Sequence, residues 1–339
     1  LLAGKIVKAV IYTNYGAPEV LHLEEVAKPT PGKDEILIKV FATEVTKADC
    51  ELRSFRFPVK WFWLPLRMAL GITKPKRQVL GGYFSGEVES VGAHVTDFSP
   101  GDAVFGACGL RFGAYAQYLC LPASYTIVPK PENLSFEEAA AVPLGGLNAL
   151  HFMRKAGIRK GEKVLVNGAG GSIGLFAVQI AKNLGAEVTV VDSGIKEEIL
   201  LRMGADHFVD YRKEDFARSG QTYDVIFNMV AKSSYSKCVK ALKPKGRYLI
   251  GNPRLSDMIR SVLTSRFTDK TVFVAFAAET REDLSALKQL IEQGKLKPVI
   301  DKAYPMEKAA EAHCRVETEQ RLGIVVISME NDRTPAPGT

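Results

Sequence analysis

Two observations predict an α/β chain in which a barrel-like antiparallel domain precedes a doubly wound parallel sheet. Up to about residue 126, short β-rich segments are separated by turn residues; from about Ser135 onward, strands and helices alternate. The composition allows both units, because 339 residues with 46% hydrophobic and 24% charged side chains can bury two cores.

The N-terminal strands read as segments 5–12, 35–45, 85–92, 102–107 and 114–121, punctuated by Pro29-Thr30-Pro31-Gly32, Ser99-Pro100-Gly101-Asp102 and Phe112-Gly113. Ser135 followed by Glu138 is a capping box that opens a helical stretch. Six strand candidates follow, at 163–168, 187–192, 207–211, 223–230, 246–252 and 271–276, with helices between them. After Ala277 an amphipathic helix (282–296), a strand (298–304), a helix (305–317) and a last strand (323–328) complete the pattern. The expected division is a barrel domain at 1–126 to which 277–330 returns, a parallel-sheet domain at 127–276, and a fraying, disordered tail at 331–339.

The segment VLVNGAGGSIGLFAVQIAKNLGAEVTVVD at 164–192 carries the most chemistry. An apolar strand, Val164–Val166, runs into Gly168, Gly170, Gly171 and Gly174, then into a helix and a second strand closed by Asp192. Glycines let the backbone turn sharply and approach a pyrophosphate, while the free N–H groups of the helix start, at Ser172 and Ile173, and its dipole attract that anion. Spacing through Gly168, Gly171 and Gly174 is GxxGxxG rather than GxGxxG. The flanking strands supply the context that a glycine triplet needs to mean dinucleotide binding. Asp192 stands where an acid bonds ribose hydroxyls, which favours NADH. Asn228, Val230, Gly251, Asn252, Phe273 and Ala275 lie at or near the C-terminal strand ends, the edge at which open α/β sheets bind ligands.

Other function classes find less support. A net charge of +7 is spread along the chain without a Lys/Arg block, so no nucleic-acid partner is expected. Five scattered cysteines, never in a CxxC pair, point to a reducing, cytoplasmic setting without a disulfide framework. The apolar stretch at 61–72 is too short to span a bilayer and contains Pro65 and Arg67. Its Trp61, Phe62 and Trp63 read either as the roof of a pocket for a flat apolar acceptor or as packing. No histidine falls into a triad or metal spacing, and Asp49 with Cys50 reads as turn bonding and packing.

Taken in order, KAVIYTNYGAPEVLHLEE, PGDAVFG, GAYAQY, AAAVPLGGLNAL, the glycine turn, LGADHFVDY, YDVIFNMV and KPVIDKAYP resemble the medium-chain dehydrogenase/reductase superfamily, in its zinc-independent quinone oxidoreductase-like branch. The resemblance covers nearly the whole chain. It implies a GroES-like β-barrel plus a Rossmann domain, and hydride transfer from NADPH to quinones, enones or related activated double bonds. Rival readings on the same scaffold are an alcohol dehydrogenase, an enoyl-thioester reductase and an NADPH-binding adaptor without turnover.

The same resemblance assigns residues. Thr46 stands where zinc alcohol dehydrogenases carry a cysteine, and Gly82 and Tyr83 stand at their GHE histidine, so no zinc is expected. Either Thr46 or Tyr83 donates a hydrogen bond to the acceptor oxygen, or the two are structural. Ser193, Lys196 and Tyr211 reproduce the Ser-x-x-Lys and Tyr that hold the 2′-phosphate of NADPH in relatives, with NADH the alternative. Asn148, where many relatives carry threonine, reads either as a contact to the nicotinamide ribose or substrate or as a helix-surface amide. Gly323-Ile324 replaces the usual Gly-Lys pair before the last strand, leaving Arg321 as a substitute cation. Relatives often pair as homodimers through the strand corresponding to 271–276.

Overall fold

A computed structural model describes residues 5–57, 63–275 and 277–329. Trp61, Phe62 and the tail at 331–339 lie outside the described residues, as does residue 276 at the end of the sixth strand segment.

In chain order the elements are β1 (Ile6–Ile11), β2 (His22–Ala27), β3 (Glu35–Glu44), α1 (Lys47–Ser54), α2 (Trp63–Leu70), β4 (Tyr83–Val91), β5 (Ala103–Ala107), β6 (Tyr118–Pro122), β7 (Ile127–Pro129), α3 (Phe136–Ala140) and α4 (Pro143–Ala156). There follow β8 (Lys163–Asn167), α5 (Ser172–Asn183), β9 (Glu187–Asp192), α6 (Glu197–Arg202), β10 (His207–Asp210), β11 (Tyr223–Asn228), α7 (Tyr235–Lys240), β12 (Leu242–Ile250), α8 (Leu255–Phe267) and β13 (Thr271–Val274). The chain continues through α9 (Arg281–Glu292), β14 (Ile300–Pro305), α10 (Ala309–Glu317) and β15 (Ile324–Ser328).

Strands β8 to β13 form a six-stranded parallel sheet in the order β10-β9-β8-β11-β12-β13. The order reverses between β8 and β11, the switch point where open α/β sheets leave a crevice. Asn167 and Asn228, the last residues of those two strands, are register partners at that point.

The other domain is a seven-stranded sheet, with the path β14-β15-β3-β4-β5-β7 and β6 also on β3, next to a β1-β2 hairpin. Two of its strands escape sequence reading. The mostly exposed β2, HLEEVA, lacks an apolar face, and β7 has three residues. The stretch after Ser135 is also two helices rather than one: the Ser135–Glu138 capping box forms as expected, α3 ends at Ala140, and Pro143 opens α4. Proline suits a first turn, where its missing N–H costs nothing.

The segment after residue 277 divides between the two cores. Leu284, Leu287 and Ile291 of α9 pack with α4 and α5 residues in the parallel-sheet core, whereas Ala309, Ala312 and Val316 of α10 pack into the barrel core. Thus α9 departs from the expected wholesale return to the barrel. Strand β15 serves both cores: Ile324 and Val326 face one, Val325 and Ile327 the other, the alternation that a strand between two layers requires. It pairs with β3 through Val326 and Glu44, and so sets the end of β3 beside the glycine turn.

Candidate active site

The glycine turn follows β8 and feeds α5, with Gly171 as N-cap in extended backbone (φ −93°, ψ 172°) that any residue adopts. The backbone conformation there thus does not require glycine. A β-carbon at Gly171 would meet only Nη2 of Arg321, at 3.9 Å, whereas one at Gly174 would overlap the Ala169 backbone. Gly168 holds φ +84°, the left-handed region that favours glycine. Gly174 and Gly168 thus make the turn, and Gly171 keeps clear ground in front of the helix start. Ser172 is buried at the first helical position, and Ile173 is half-buried against the core.

Asp192 and Lys196 do not stand apart as rival selectors. Lys196 Nζ lies 3.2 Å from Asp192 Oδ1, both side chains are buried, and the lysine stem lies against Gly170. Asp192 also accepts the N–H groups of Gly170 (2.7 Å) and Ser193 (2.8 Å). Its charge is spent on the turn and the lysine. Ser193 is buried beside it, and Tyr211 is 57% exposed with its N–H on the Asp192 carbonyl.

At the switch point Asn228 is saturated. Its Oδ1 accepts from Asn167 Nδ2 (2.8 Å) and Val230 N–H, and its Nδ2 donates to Tyr248 Oη (3.2 Å) and the Val230 carbonyl. Gly251 N–H donates to the Asn228 carbonyl, and Asn252 Nδ2 to the Met229 carbonyl. These residues shape the strand edge by bonding one another. Asn148 spends an N–H on Leu144 of its own helix, as a helix-surface amide does. Phe273 and Ala275, at and just beyond the end of β13, are half-buried against the core.

Thr46 is buried as the N-cap of α1, its hydroxyl donating to Asp49 Oδ2 (2.6 Å) and accepting from the Asp49 N–H, the arrangement that the structural reading of this residue expects. Asp49 also accepts from Gly81 N–H, tying α1 to the start of β4. Tyr83 begins β4 and donates its hydroxyl to Glu279 Oε1 at 2.6 Å. Burial and the neighbouring Glu279 charge push the tyrosine pKa well up, and burial raises that of Glu279. The phenol therefore stays protonated across the working pH range. Trp63 lies on α2, which buries no side chain among those described, and contacts Phe55 edge-on beneath Arg67.

Sequence reading missed two acids. Glu279 gave no signal, whereas Glu44 was visible as an acid ending an apolar strand. Glu44 is fully buried and accepts from the Ser172 hydroxyl at 2.5 Å. Roomy grooves of about 740 and 690 Å³ lie on the barrel domain, lined by Lys28, Lys39 and Glu89 in one and Lys47, Arg53 and Arg56 in the other. Neither touches the glycine turn, and the chemistry there outweighs their size.

Fold and turn together define a two-domain dehydrogenase architecture. The family described as "Alcohol dehydrogenase GroES-like domain" matches residues 32–132, and that described as "Zinc-binding dehydrogenase" matches 203–327. The chain belongs to the medium-chain dehydrogenase/reductase superfamily, in its quinone oxidoreductase-like branch.

It is 32% identical to the quinone oxidoreductase of Homo sapiens over 91% of this chain and 93% of that protein. It is also 32% identical to the 2-methylene-furan-3-one reductase of Solanum lycopersicum, over 94% and 78%. The solved quinone oxidoreductase of Coxiella burnetii superposes with a TM-score of 0.85 at 28% identity, covering 96% of this chain and 100% of that one. The chain is thus an oxidoreductase of a superfamily whose members bind nicotinamide cofactors. Among the described residues no group of three or more His, Cys, Asp or Glu side chains is placed to hold a metal ion.

Proposed function

We propose that this protein is a zinc-independent reductase that transfers hydride from NADPH to a quinone or an α,β-unsaturated carbonyl. The observation that carries the reading is the clear ground at Gly171, between the start of α5 and the guanidinium of Arg321, at the C-terminal edge of the parallel sheet. A dinucleotide fits on two counts: the space in front of Gly171 is open, and Arg321 is buried with its Nε unpartnered among the described residues.

In this reading Gly168, Gly171, Ser172, Ile173 and Gly174 hold the pyrophosphate, with the helix dipole behind them. Ser193, Lys196 and Tyr211 hold the 2′-phosphate, Asp192 being neutralised by its lysine rather than left to repel it. Asn148, Asn228, Gly251, Asn252, Phe273 and Ala275 wall the nicotinamide end. When bound, the cofactor supplies the hydride. The protein orients the acceptor, excludes water and offers a proton donor near the developing oxyanion.

Tyr83 is the candidate donor, its hydroxyl turning from Glu279 Oε1 to the acceptor oxygen when an acceptor binds. Tyr83→Phe is expected to lower kcat by about 10²-fold, the scale of general-acid contributions, with NADPH affinity unchanged. Steady-state kinetics beside a fluorescence titration of NADPH separates the outcomes, and an unchanged kcat would make Tyr83 structural.

The test of the whole reading is an acceptor screen with NADPH and NADH, before and after exhaustive chelation. Quinones and enones should be reduced in both conditions and simple alcohols should be poor hydride donors, because an electron-poor acceptor needs no Lewis acid. Chelator-sensitive alcohol oxidation would overturn the reading, and cofactor binding without turnover on any acceptor would favour an adaptor.

We also propose a homodimer paired along β13, in a cytoplasmic setting. Support comes from the position of β13 at the sheet edge, and from the adjoining α8, which exposes Leu255, Ile259, Val262, Leu263 and Phe267. Sedimentation of the wild type should give a dimer and of Ile259→Asp a monomer; a monomeric wild type would refute it. The five cysteines are free, as a reducing compartment allows, and among the described residues no helix is long and apolar enough to cross a membrane.

A further inference from the structure

Glu44 belongs to the barrel, yet its carboxyl reaches the start of α5 in the other domain. Oε1 accepts from the Ser172 hydroxyl at 2.5 Å, and Oε2 is buried without a partner among the described residues. Arg321, in the loop before β15, is 6% exposed, forms no ion pair among the described residues, and directs Nη2 to within 3.9 Å of the β-carbon position of Gly171. An ionised Glu44 would thus lie, desolvated, beside the ground that the dinucleotide reading gives to a diphosphate. Two buried anions in one site repel strongly unless one takes a proton.

We propose that Glu44 is a positioning residue for Ser172 that enters the dinucleotide complex as a neutral acid, so that phosphate binding at this turn takes up one proton at alkaline pH. The inference rests on the dinucleotide reading above. The proton comes from solvent and goes to a carboxylate oxygen of Glu44, and no other bond is made or broken.

The surroundings agree with the coupling. Burial raises the Glu44 pKa to about 8; the Ser172 hydrogen bond and the Arg321 charge pull it down, while Asp49 of α1 pushes it up. Tyr83 on β4 and Tyr115 also feel the Glu44 charge, but both are held protonated by burial. At pH 7 the acid is therefore neutral and a phosphate binds without proton exchange. Above pH 8 the free protein has lost the proton and must regain it to bind.

The experiment is calorimetric titration of the full chain with NADPH, and separately with NADH, at pH 7, 8 and 9 in two buffers of different ionisation enthalpy. Expected is almost no net uptake at pH 7, an uptake approaching one proton per site at pH 9, and a Kd about tenfold weaker at pH 9 than at pH 7. Glu44→Gln should bind both cofactors with affinity flat across that range and with no uptake. Difference infrared spectra of the wild type at pH 9 should gain the carbonyl band of a protonated carboxyl on binding, a readout that holds even if the glutamine variant misfolds. Binding with flat affinity and no uptake in the wild type, or pH dependence persisting in Glu44→Gln, would overturn the inference. Absence of binding at every pH would sink the dinucleotide reading itself, and this inference with it.

Discussion

Gly171→Val is expected to abolish dinucleotide binding while leaving the fold intact. Both halves of that result follow from local geometry. The backbone at Gly171 is extended, which a β-branched residue adopts readily, and a β-carbon there meets nothing of the protein closer than Arg321 Nη2 at 3.9 Å. The branched side chain would instead fill the approach to the N–H groups that open α5. Loss of those contacts, on the order of 3 kcal/mol or more, weakens Kd by roughly 100-fold or beyond. Circular dichroism and the melting temperature should match the wild type while NADPH fluorescence enhancement disappears. Unchanged affinity would show that the turn serves packing alone. Gly174→Ala makes the contrasting control, because its β-carbon would overlap the Ala169 backbone and should cost stability first.

Lys196→Ala is expected to weaken NADPH by about 1.5–3 kcal/mol, the range for hydrogen bonds to charged groups, and to leave NADH nearly unchanged. The ion pair sharpens this expectation. Removing the lysine strips Asp192 of its ion-pair partner and leaves a buried carboxylate at the turn, held by the Gly170 and Ser193 N–H groups and the Ser193 hydroxyl. The variant should therefore repel a 2′-phosphate as well as fail to attract it. Parallel titrations with the two cofactors decide the matter, and equal losses for both would make Lys196 a brace for the glycine turn.

Much of this architecture is legible because local patterns and long-range packing agree in it. The strands at 163–168 and 187–192, the glycine turn between them and the Ser135–Glu138 box each announce themselves within a dozen residues, and all form. Thr46 is legible too, since Thr-x-x-Asp is the spacing of a helix cap and Asp49, three residues on, is its partner.

The pairing of Tyr83 with Glu279 joins residues far apart in the chain, and no periodicity encodes it. Glu44 reads as the polar end of a strand until β15 and the start of α5 are known to pack on it. Lys196 fits a phosphate motif by spacing, yet that spacing also folds it onto Asp192, four residues before it.

The placement of β15 has a consequence for biogenesis. Vectorial synthesis delivers β3 early and β15 last among the described strands, although the two are hydrogen-bonded neighbours. The parallel sheet, contiguous from Lys163 to Val274, can assemble while the barrel sheet still waits with an open edge at β3. A nascent chain stalled before Ile324 would lack Ile324 and Val326 from one core and Val325 and Ile327 from the other. One late strand therefore acts as a completion check on both domains, and a truncation there should yield a protease-sensitive product rather than an active fragment.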